Sequence, residues 1–258
     1  MRAPQHIQTL IDRGALFVVN HSGGKDSQAM LIRVRALVPA AQILVIHADL
    51  PGVEWKGTEE HARRYSEGLE FRTVRATKTF FEMVDHRQAW PSNQYRQCTS
   101  DLKRGPIEKA IRAFIKERGL SGLVVNCTGI RAQESTSRAK QTPFQKNERN
   151  SKAGREWYDW MPIFMLSVDQ VKASIAEAGQ ELHWAYSKGM TRLSCAFCIM
   201  ASKADLQISA RENPELFQKI LAKEKEIGAT MFAVKGKPVA LDQYMLYAEQ
   251  RAQKGCAA

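Results

Sequence analysis

The sequence predicts an α/β fold built on a doubly wound parallel sheet, with a mainly helical C-terminal extension. Three observations carry that expectation. Short apolar, β-branched runs, Leu16-Phe17-Val18-Val19-Asn20, Ile43-Leu44-Val45-Ile46-His47-Ala48-Asp49 and Leu123-Val124-Val125-Asn126-Cys127, read as strands buried on both faces. Segments with apolar residues at helical spacing separate them, so strand and helix alternate along the chain. The second run ends in polar groups, and open α/β sheets hold ligands at the carboxyl ends of their strands.

Taken in order, residues 5–13 form a short amphipathic helix stopped by Gly14, and the first strand follows. Beyond a turn at 22–27, Met30, Leu31, Val34, Leu37 and Val38 mark a long helix that ends near Pro39. After the second strand, residues 57–68 read as a helix, 71–75 as a third strand and 77–87 as another helix. A loop with Trp90-Pro91-Ser92 leads to Cys98, Lys103 and Arg104, and Pro106 opens a helix with an apolar stripe of Ile107, Ile111, Phe114 and Ile115. The fourth strand ends in the turn Thr128-Gly129-Ile130-Arg131. Residues 157–163 look like a strand or an aromatic platform, and Ser167 caps a helix running to about Ala178. A loop with His183, Trp184, Tyr186 and Arg192 delivers Cys195-Ala196-Phe197-Cys198, and Asn213-Pro214 signals a helix start in the remainder. An α/β domain at 1–165, including the 131–155 stretch, and a helical region at 166–258 carrying the C-x-x-C pair are therefore expected, with no internal repeat.

The turn Ser22-Gly23-Gly24-Lys25-Asp26-Ser27 organises this plan. It joins a buried strand to a helix, its glycines let the backbone approach a ligand, and the unpaired amides opening the helix face that ligand with the dipole behind them. Lys25 adds a point charge, while Ser22, Asp26 and Ser27 can bond phosphate oxygens, cap the helix or help hold magnesium. The spacing fits neither G-x-x-x-x-G-K-[ST] nor G-x-G-x-x-G. A turn that merely caps a helix is the alternative.

With 258 residues, 44% hydrophobic and 25% charged, the chain has ordinary globular composition and length for one large α/β domain or a core with an extension. No apolar run approaches the 18 residues of a membrane span, and the first residues lack the apolar core of a signal peptide, so no membrane and a cytoplasmic location are expected. Five cysteines are too few for a disulfide framework, which makes C-x-x-C a metal or redox element. A net charge of +11 calls for an anionic partner and leaves room for nucleic acid besides a nucleotide. Much of that charge falls at 131–155, where Arg131, Arg138, Lys140, Lys146, Arg149, Lys152 and Arg155 face only Glu134 and Glu148. The segment reads either as a solvated, mobile loop or as a clamp that orders over a polyanion.

Beyond its physical logic, Ser22–Ser27 resembles the S-G-G-x-D-S pyrophosphate loop (PP-loop) of the adenine nucleotide α-hydrolase-like superfamily. Cys98-Thr99-Ser100-Asp101-Leu102-Lys103-Arg104-Gly105-Pro106, then Gly129-Ile130-Arg131-Ala132-Gln133-Glu134-Ser135 with Arg138, then Arg192-Leu193-Ser194-Cys195-Ala196-Phe197-Cys198, resemble the phosphoadenosine phosphosulfate (PAPS) reductase family in order and interval. The pattern is closer to the branch containing the DNA phosphorothioation ATP pyrophosphatases. The resemblance implies ATP with Mg2+, or PAPS or adenylyl sulfate, at Ser22, Gly23, Gly24, Lys25, Asp26 and Ser27, with His47 and Asp49 on one side and Gly129, Ile130 and Arg131 on the other. His47 reads equally as an ordinary strand-end residue and Asp49 as a turn residue. Lys25, Asp26, Lys103, Arg131 and Arg192 are the implied catalytic groups, and Lys103, Arg131, Arg138 and Arg192 the implied contacts to phosphate, sulfate or sulfide.

Two cysteines two residues apart can chelate one ion or fill two corners of a cluster. Cys195 and Cys198 have that spacing, and the family pattern brings Cys98 to the same place, implying a 4Fe-4S cluster with three thiolates and one open iron. A zinc site completed by His183 or Cys127 competes with it, although Cys127 on an apolar strand reads as core. In enzymes of the superfamily a substrate oxygen attacks the α-phosphorus of ATP and pyrophosphate leaves. The expectation is an ATP pyrophosphatase that adenylates a substrate and supports sulfur transfer through the cluster, with nucleic acid bound through 131–155, a sulfur-donor protein as partner, and a homodimer compatible with this. The reductases carry a C-terminal E-C-G-x-H motif, and Cys256 here lacks its neighbours, so a thiol-dependent PAPS or adenylyl-sulfate reductase is the second reading. A non-catalytic adenine-nucleotide-binding module is the third.

Overall fold

The structure is a computed structural model that describes residues 3–246. The chain forms two compact units, one of Met1–Asp49, Gly57–Val74 and Pro106–His183, the other of Leu50–Lys56, Arg75–Gly105 and Trp184–Ala258. Both are discontinuous, where the sequence suggested a cut at 165/166. The helix Val168–Glu177 is the reason: Val171 and Ile175 are buried in the same cluster as Met30 and Val34 of the helix Lys25–Arg35, so it belongs with the sheet.

The first unit holds β1 (Leu16–Asn20), β2 (Ile43–Ala48), β3 (Glu70–Val74), β4 (Leu123–Cys127), β5 (Phe144–Lys146) and β6 (Glu156–Trp160), in the order β3-β2-β1-β4-β6-β5. All pairings are parallel except β5 with β6, which is antiparallel. Alternation within the strands sorts the core. Phe17, Val19, Ile43 and Val45 pack on the helices Gln5–Asp12, Lys25–Arg35 and Val168–Glu177, whereas Leu16, Val18, Leu44 and Ile46 pack on Ile111, Phe114 and Ile115 of Gly105–Arg118. Strand order reverses between β1 and β4. In open α/β sheets such a switch point at the carboxyl ends of the strands is where ligands bind.

Residues 131–155 are not a bare loop. Short helical turns at Ala132–Glu134 and Thr136–Ala139 precede β5, whose residues Phe144, Gln145 and Lys146 pair with Trp160, Asp159 and Tyr158. Edge pairing satisfies the backbone of a stretch with little apolar content, and much of its charge is neutralised locally. Arg138 pairs with Glu134, Lys146 with Glu148, and Arg149 with the buried carboxylate of Glu108. Residues 144–146 are therefore the antiparallel edge of the sheet, with short turns on either side, so the segment is not structureless. Helix ends also move inward: 58–64 replaces 57–68, and Phe80–Arg87 begins after a Thr79/Glu82 capping box.

The second unit has its own core around Trp55, Phe80, Phe81, Trp90, Leu206 and Ile220. It contains the helices Lys203–Glu212 and Pro214–Ile227 and a hairpin of β7 (Phe232–Val234) and β8 (Lys237–Val239). The hairpin is held by Glu224, a buried carboxylate that accepts the amides of Met231 at 2.8 Å and Leu241 at 3.0 Å. Pro214 opens its helix, but Asn213 makes no side-chain cap. No helix among the described residues is long and apolar enough to cross a membrane.

Candidate functional site

The turn after β1 has the geometry of an anion cradle. Gly23 sits at φ +73°, a conformation costly for any residue with a Cβ, and Gly24 caps the helix Lys25–Arg35 with extended backbone and no side-chain bond to the first-turn amides. Serine hydroxyls close the loop on itself: Ser27 Oγ donates to the Gly24 carbonyl at 2.8 Å and accepts the Ser22 amide at 3.1 Å. His21, buried behind it, accepts the Gly23 amide at Nδ1, 3.1 Å away. That bond places the imidazole proton on Nε2, which has no partner among the described residues. Burial and the neighbouring His61 and His47 push His21 down to about 3, so the ring is neutral.

The turn after β4 packs directly against this cradle. A Cβ on Gly129 would lie 3.0 Å from both the carbonyl carbon and oxygen of Asp26 and 3.1 Å from the Ser27 nitrogen, so only glycine lets the two backbones approach this closely. Arg131, buried, then reaches Asp26. Its Nε donates to one carboxylate oxygen at 2.6 Å while Lys25 Nζ lies 3.1 Å from the other, so one carboxylate holds two cations beside the loop. Arg131 is further fixed through Gln133 Oε1 at 3.1 Å. His47 is buried at the end of β2, with Nδ1 2.9 Å from the His21 carbonyl, and the Asp49 amide donates to the Val74 carbonyl. Both stand at the same carboxyl edge of the sheet as Gly129, Ile130 and Arg131.

Polar residues that strand periodicity does not single out pin this edge. Asn20 Nδ2 donates at 2.7 Å to Asn126 Oδ1 and to the Cys127 carbonyl, Asn126 donates to Asp159 at 2.8 Å, and Asn147 donates to the same carboxylate at 2.7 Å. The ladder crosses β1, β4 and β6 one residue before the loop begins. Its signal in sequence was an asparagine inside each of two otherwise apolar strands.

In the second unit Cys98, Cys195 and Cys198 gather around Lys103. The half-buried Lys103 ammonium is held above its ordinary range by Cys195 first, against the cost of burial, and then by Glu54, Cys198 and Cys98. Burial pushes Cys195 up to about 11 and raises Cys98, with Lys103 opposing both. Helix geometry explains how Cys98 and Lys103 meet. Residues five apart diverge by about 140° on an α-helix of 3.6 residues per turn. Here Ser100–Arg104 is a π-turn, closed by the Gly105 amide on the Ser100 carbonyl, and the wider turn returns Lys103 toward Cys98. The C-x-x-C loop is anchored by the Ala196 amide on the Val53 carbonyl at 2.8 Å and a bridge between Glu54 and Cys195. Upstream, buried Asp205 accepts both the amide and hydroxyl of Thr191 at 2.7 Å. Arg192 donates to the Met200 carbonyl at 3.4 Å, backing the loop.

Three thiols, one of them accepting a backbone amide (Met200 to Cys198 Sγ, 3.4 Å), stand around one ammonium without closing to within 4.8 Å of one another, a donor set that could hold a thiolate-bound metal group. Cys127 does not join them: it is buried on β4, its thiol directed at the Val125 carbonyl and raised far above its ordinary range by burial, which makes it core. His183 is buried and stacks edge-on to His61 at 5.3 Å. Cys256 lies outside the described residues.

A sequence model of the phosphoadenosine phosphosulfate reductase domain matches residues 17–201, which takes in the loop, both turns and all three clustered cysteines. The chain belongs to that family. Among curated proteins it is 28% identical over 204 residues to the uncharacterized protein MJ0066 of Methanocaldococcus jannaschii, covering 78% of this chain and 40% of that one. It is 26% identical over 171 residues to an uncharacterized 37.8 kDa protein of Escherichia phage 186, covering 66% and 49%. The chain thus spans less than half the length of these relatives. Among solved structures, the PAPS reductase of Candida auris in a phosphate complex aligns at 17% identity and TM-score 0.48 over 75% of this chain and 95% of that one. The FMN adenylyltransferase of Candida glabrata with FMN and an ATP analogue aligns at 16% identity and TM-score 0.44 over 70% and 54%.

As a member of the PAPS reductase family the chain carries a nucleotide-binding α/β fold with its sequence-singled residues divided between the units. Ser22, Gly23, Gly24, Lys25, Asp26, Ser27, His47, Asp49, Gly129, Ile130 and Arg131 lie in the first, and Cys98, Lys103, Arg192, Cys195 and Cys198 in the second. Arg138 is held by Glu134 at the sheet edge.

Proposed function

We propose that this family member is an ATP pyrophosphatase that adenylates a substrate and serves sulfur transfer. The observation that carries the reading is the Asp26 carboxylate holding Lys25 and Arg131 against a loop at the point where strand order reverses. Two cations and a cradle of helix-opening amides suit a triphosphate whose leaving pyrophosphate gains charge as the α-phosphorus is attacked. A substrate oxygen forms the new bond to that phosphorus, the bond to the β-phosphate bridge breaks, and the hydroxyl proton is released to solvent. Magnesium, held through Asp26 and the phosphates, would supply charge neutralisation between the phosphoryl oxygens. Gly129 and the Asn20-Asn126-Asp159 ladder keep the loop and the following turn in register, which positions the cations before a ligand binds.

The three thiols with Lys103 would hold an iron–sulfur cluster, which would supply a sulfide-binding iron. Burial raises the Cys98 and Cys195 thiols, so loading would release protons, and the resulting thiolate charge would sit against the ammonium. Zinc on the same thiols is the alternative. The resemblance to the phosphorothioation branch supports nucleic acid as the acceptor, with a sulfur-donor protein upstream.

Purified protein with ATP and magnesium should release pyrophosphate in the presence of the acceptor, and the Lys25→Ala, Asp26→Ala double variant should lose on the order of 10²–10³-fold in that rate while keeping its far-ultraviolet dichroism. Turnover unchanged in the double variant overturns the reading. The family description itself favours one other reading, thiol-dependent reduction of PAPS or adenylyl sulfate through Cys256. Sulfite release that disappears in Cys256→Ser would establish that reading instead.

A further inference from the structure

The second unit carries a cavity of about 400 Å³ that the chemistry above does not use. Its lining includes Arg87, Tyr95, Arg96, Thr99, Ser100 and Arg104. Three guanidiniums face one small space, and no carboxylate lines it. Arg87 is tied at 2.8 Å to Asp101, which Ser100 Oγ also bonds at 2.7 Å. Arg96 and Arg104 are exposed and make no hydrogen bond or ion pair of their side chains among the described residues, although Asp101 feels the Arg104 charge at longer range. A cavity with two uncommitted guanidiniums beside hydroxyls and an amide is built for an oxyanion with several acceptor oxygens.

Tyr95 says what that anion is attached to. The residue is 73% exposed, the highest among the aromatic residues described. It is not loosely placed: the Ser92 amide donates to the Tyr95 carbonyl and the Tyr95 amide to Ser92 Oγ, both at 3.1 Å, so a closed turn presents it. An exposed aromatic face on a closed turn beside two guanidiniums is the combination that single-strand binders use, the ring stacking a base and the arginines taking the phosphates on either side. Nothing in the cavity forms the deep apolar slot that would swallow a free nucleoside. The chain charge of +11 supplies the long-range attraction a polyanion needs, and four of the seven basic side chains at 131–155 are already paired.

We propose that this cavity is a binding site for a single nucleic-acid strand, with one base stacked on Tyr95 and the flanking phosphodiesters held by Arg96 and Arg104. The residues on either side of Cys98, Gln97 and Thr99, line the same cavity, so the strand lies beside the thiol site. Its role as the acceptor of sulfur rests on the function proposed above; its binding does not.

The test uses the full chain and fluorescence anisotropy with a labelled 12-nucleotide single strand of DNA or RNA, without ATP. Two to three phosphate contacts should give a slope of log affinity against log salt of about −1.4 to −2.1, and Arg96→Ala with Arg104→Ala should flatten it by about 1.4. Tyr95→Ala should weaken binding about 5- to 100-fold, and Tyr95→Phe should leave it within about twofold. Lys25→Ala should bind the strand as wild type does, so pyrophosphate release that stays at the wild-type rate in this variant, with strand binding intact, fails the catalytic reading alone. Three outcomes overturn the proposal: no strand binding by wild type, equal binding by the Arg96/Arg104 variant, or loss of binding only in Lys140→Ala with Lys152→Ala. Competition by inorganic phosphate or a mononucleotide as effective as the unlabelled strand also overturns it, in favour of a small-anion site.

Discussion

Gly129→Ala isolates how closely the two turns of the proposed nucleotide site must approach. The added methyl would stand 3.0 Å from the Asp26 carbonyl carbon and oxygen and 3.1 Å from the Ser27 nitrogen, some tenths of an ångström inside ordinary contact. Those atoms are helix backbone and cannot swing away as a side chain would. The first turn of Lys25–Arg35 or the 128–131 turn must shift, and overpacking of this kind costs about 1–3 kcal/mol. For a chain of this length that lowers the melting temperature by about 2–12 °C. The functional loss should be larger than the stability loss implies. The shift falls on Asp26, whose carboxylate positions Lys25 and Arg131, and a displacement approaching 1 Å can cost about 10²-fold in rate. The assay is pyrophosphate release alongside differential scanning calorimetry. A variant that melts lower but turns over ATP at the wild-type rate would show that the close approach serves stability alone, and the argument from geometry to catalysis would be wrong.

Two further outcomes follow from particular residues. His21 titrates near 3 and His61 near 4 in the folded protein, both below the ordinary 6.5, because burial and neighbouring charge disfavour the imidazolium. The unfolded chain therefore binds more protons in this window, and stability present in full above about pH 6.5 is lost as pH falls toward 4. Counting the fully buried His21 alone, each pH unit costs about 1.4 kcal/mol, or about 2–3 kcal/mol between pH 6.5 and 4.5. Urea midpoints should fall accordingly, and His21→Asn, whose carbonyl can still accept the Gly23 amide, should flatten the dependence; an equal slope in the variant refutes the assignment. At the thiol site, Cys98→Ser, Cys195→Ser or Cys198→Ser should each strip most iron from anaerobically purified protein, while Cys127→Ser should keep it and lose only packing. Stoichiometric zinc without acid-labile sulfide would remove the cluster and leave the three-thiol site.

The sequence by itself determined the central strands, the turn and the cysteine spacing. These are local: an apolar run such as Leu16–Asn20 has only one way to be buried on both faces, and Gly23-Gly24-Lys25 carries its own backbone requirement. What the sequence could not settle depended on pairing between distant residues. The basic stretch 131–155 looked unstructured because its few apolar residues promise little burial, yet three backbone pairings with β6 and the acids at Glu134, Glu148 and Glu108 hold it on the sheet. Arg131 was legible as a candidate, but its grip on Asp26 exists only because β1 and β4 are neighbours where strand order reverses. Cys98 and Lys103 fall on different sides of an ordinary helix, and a π-turn, which no residue in Ser100–Arg104 announces, brings them together. The division into two discontinuous units likewise follows from which helix faces share a core. Periodicity along a chain reports that a face is apolar; only the folded packing decides which neighbour covers it.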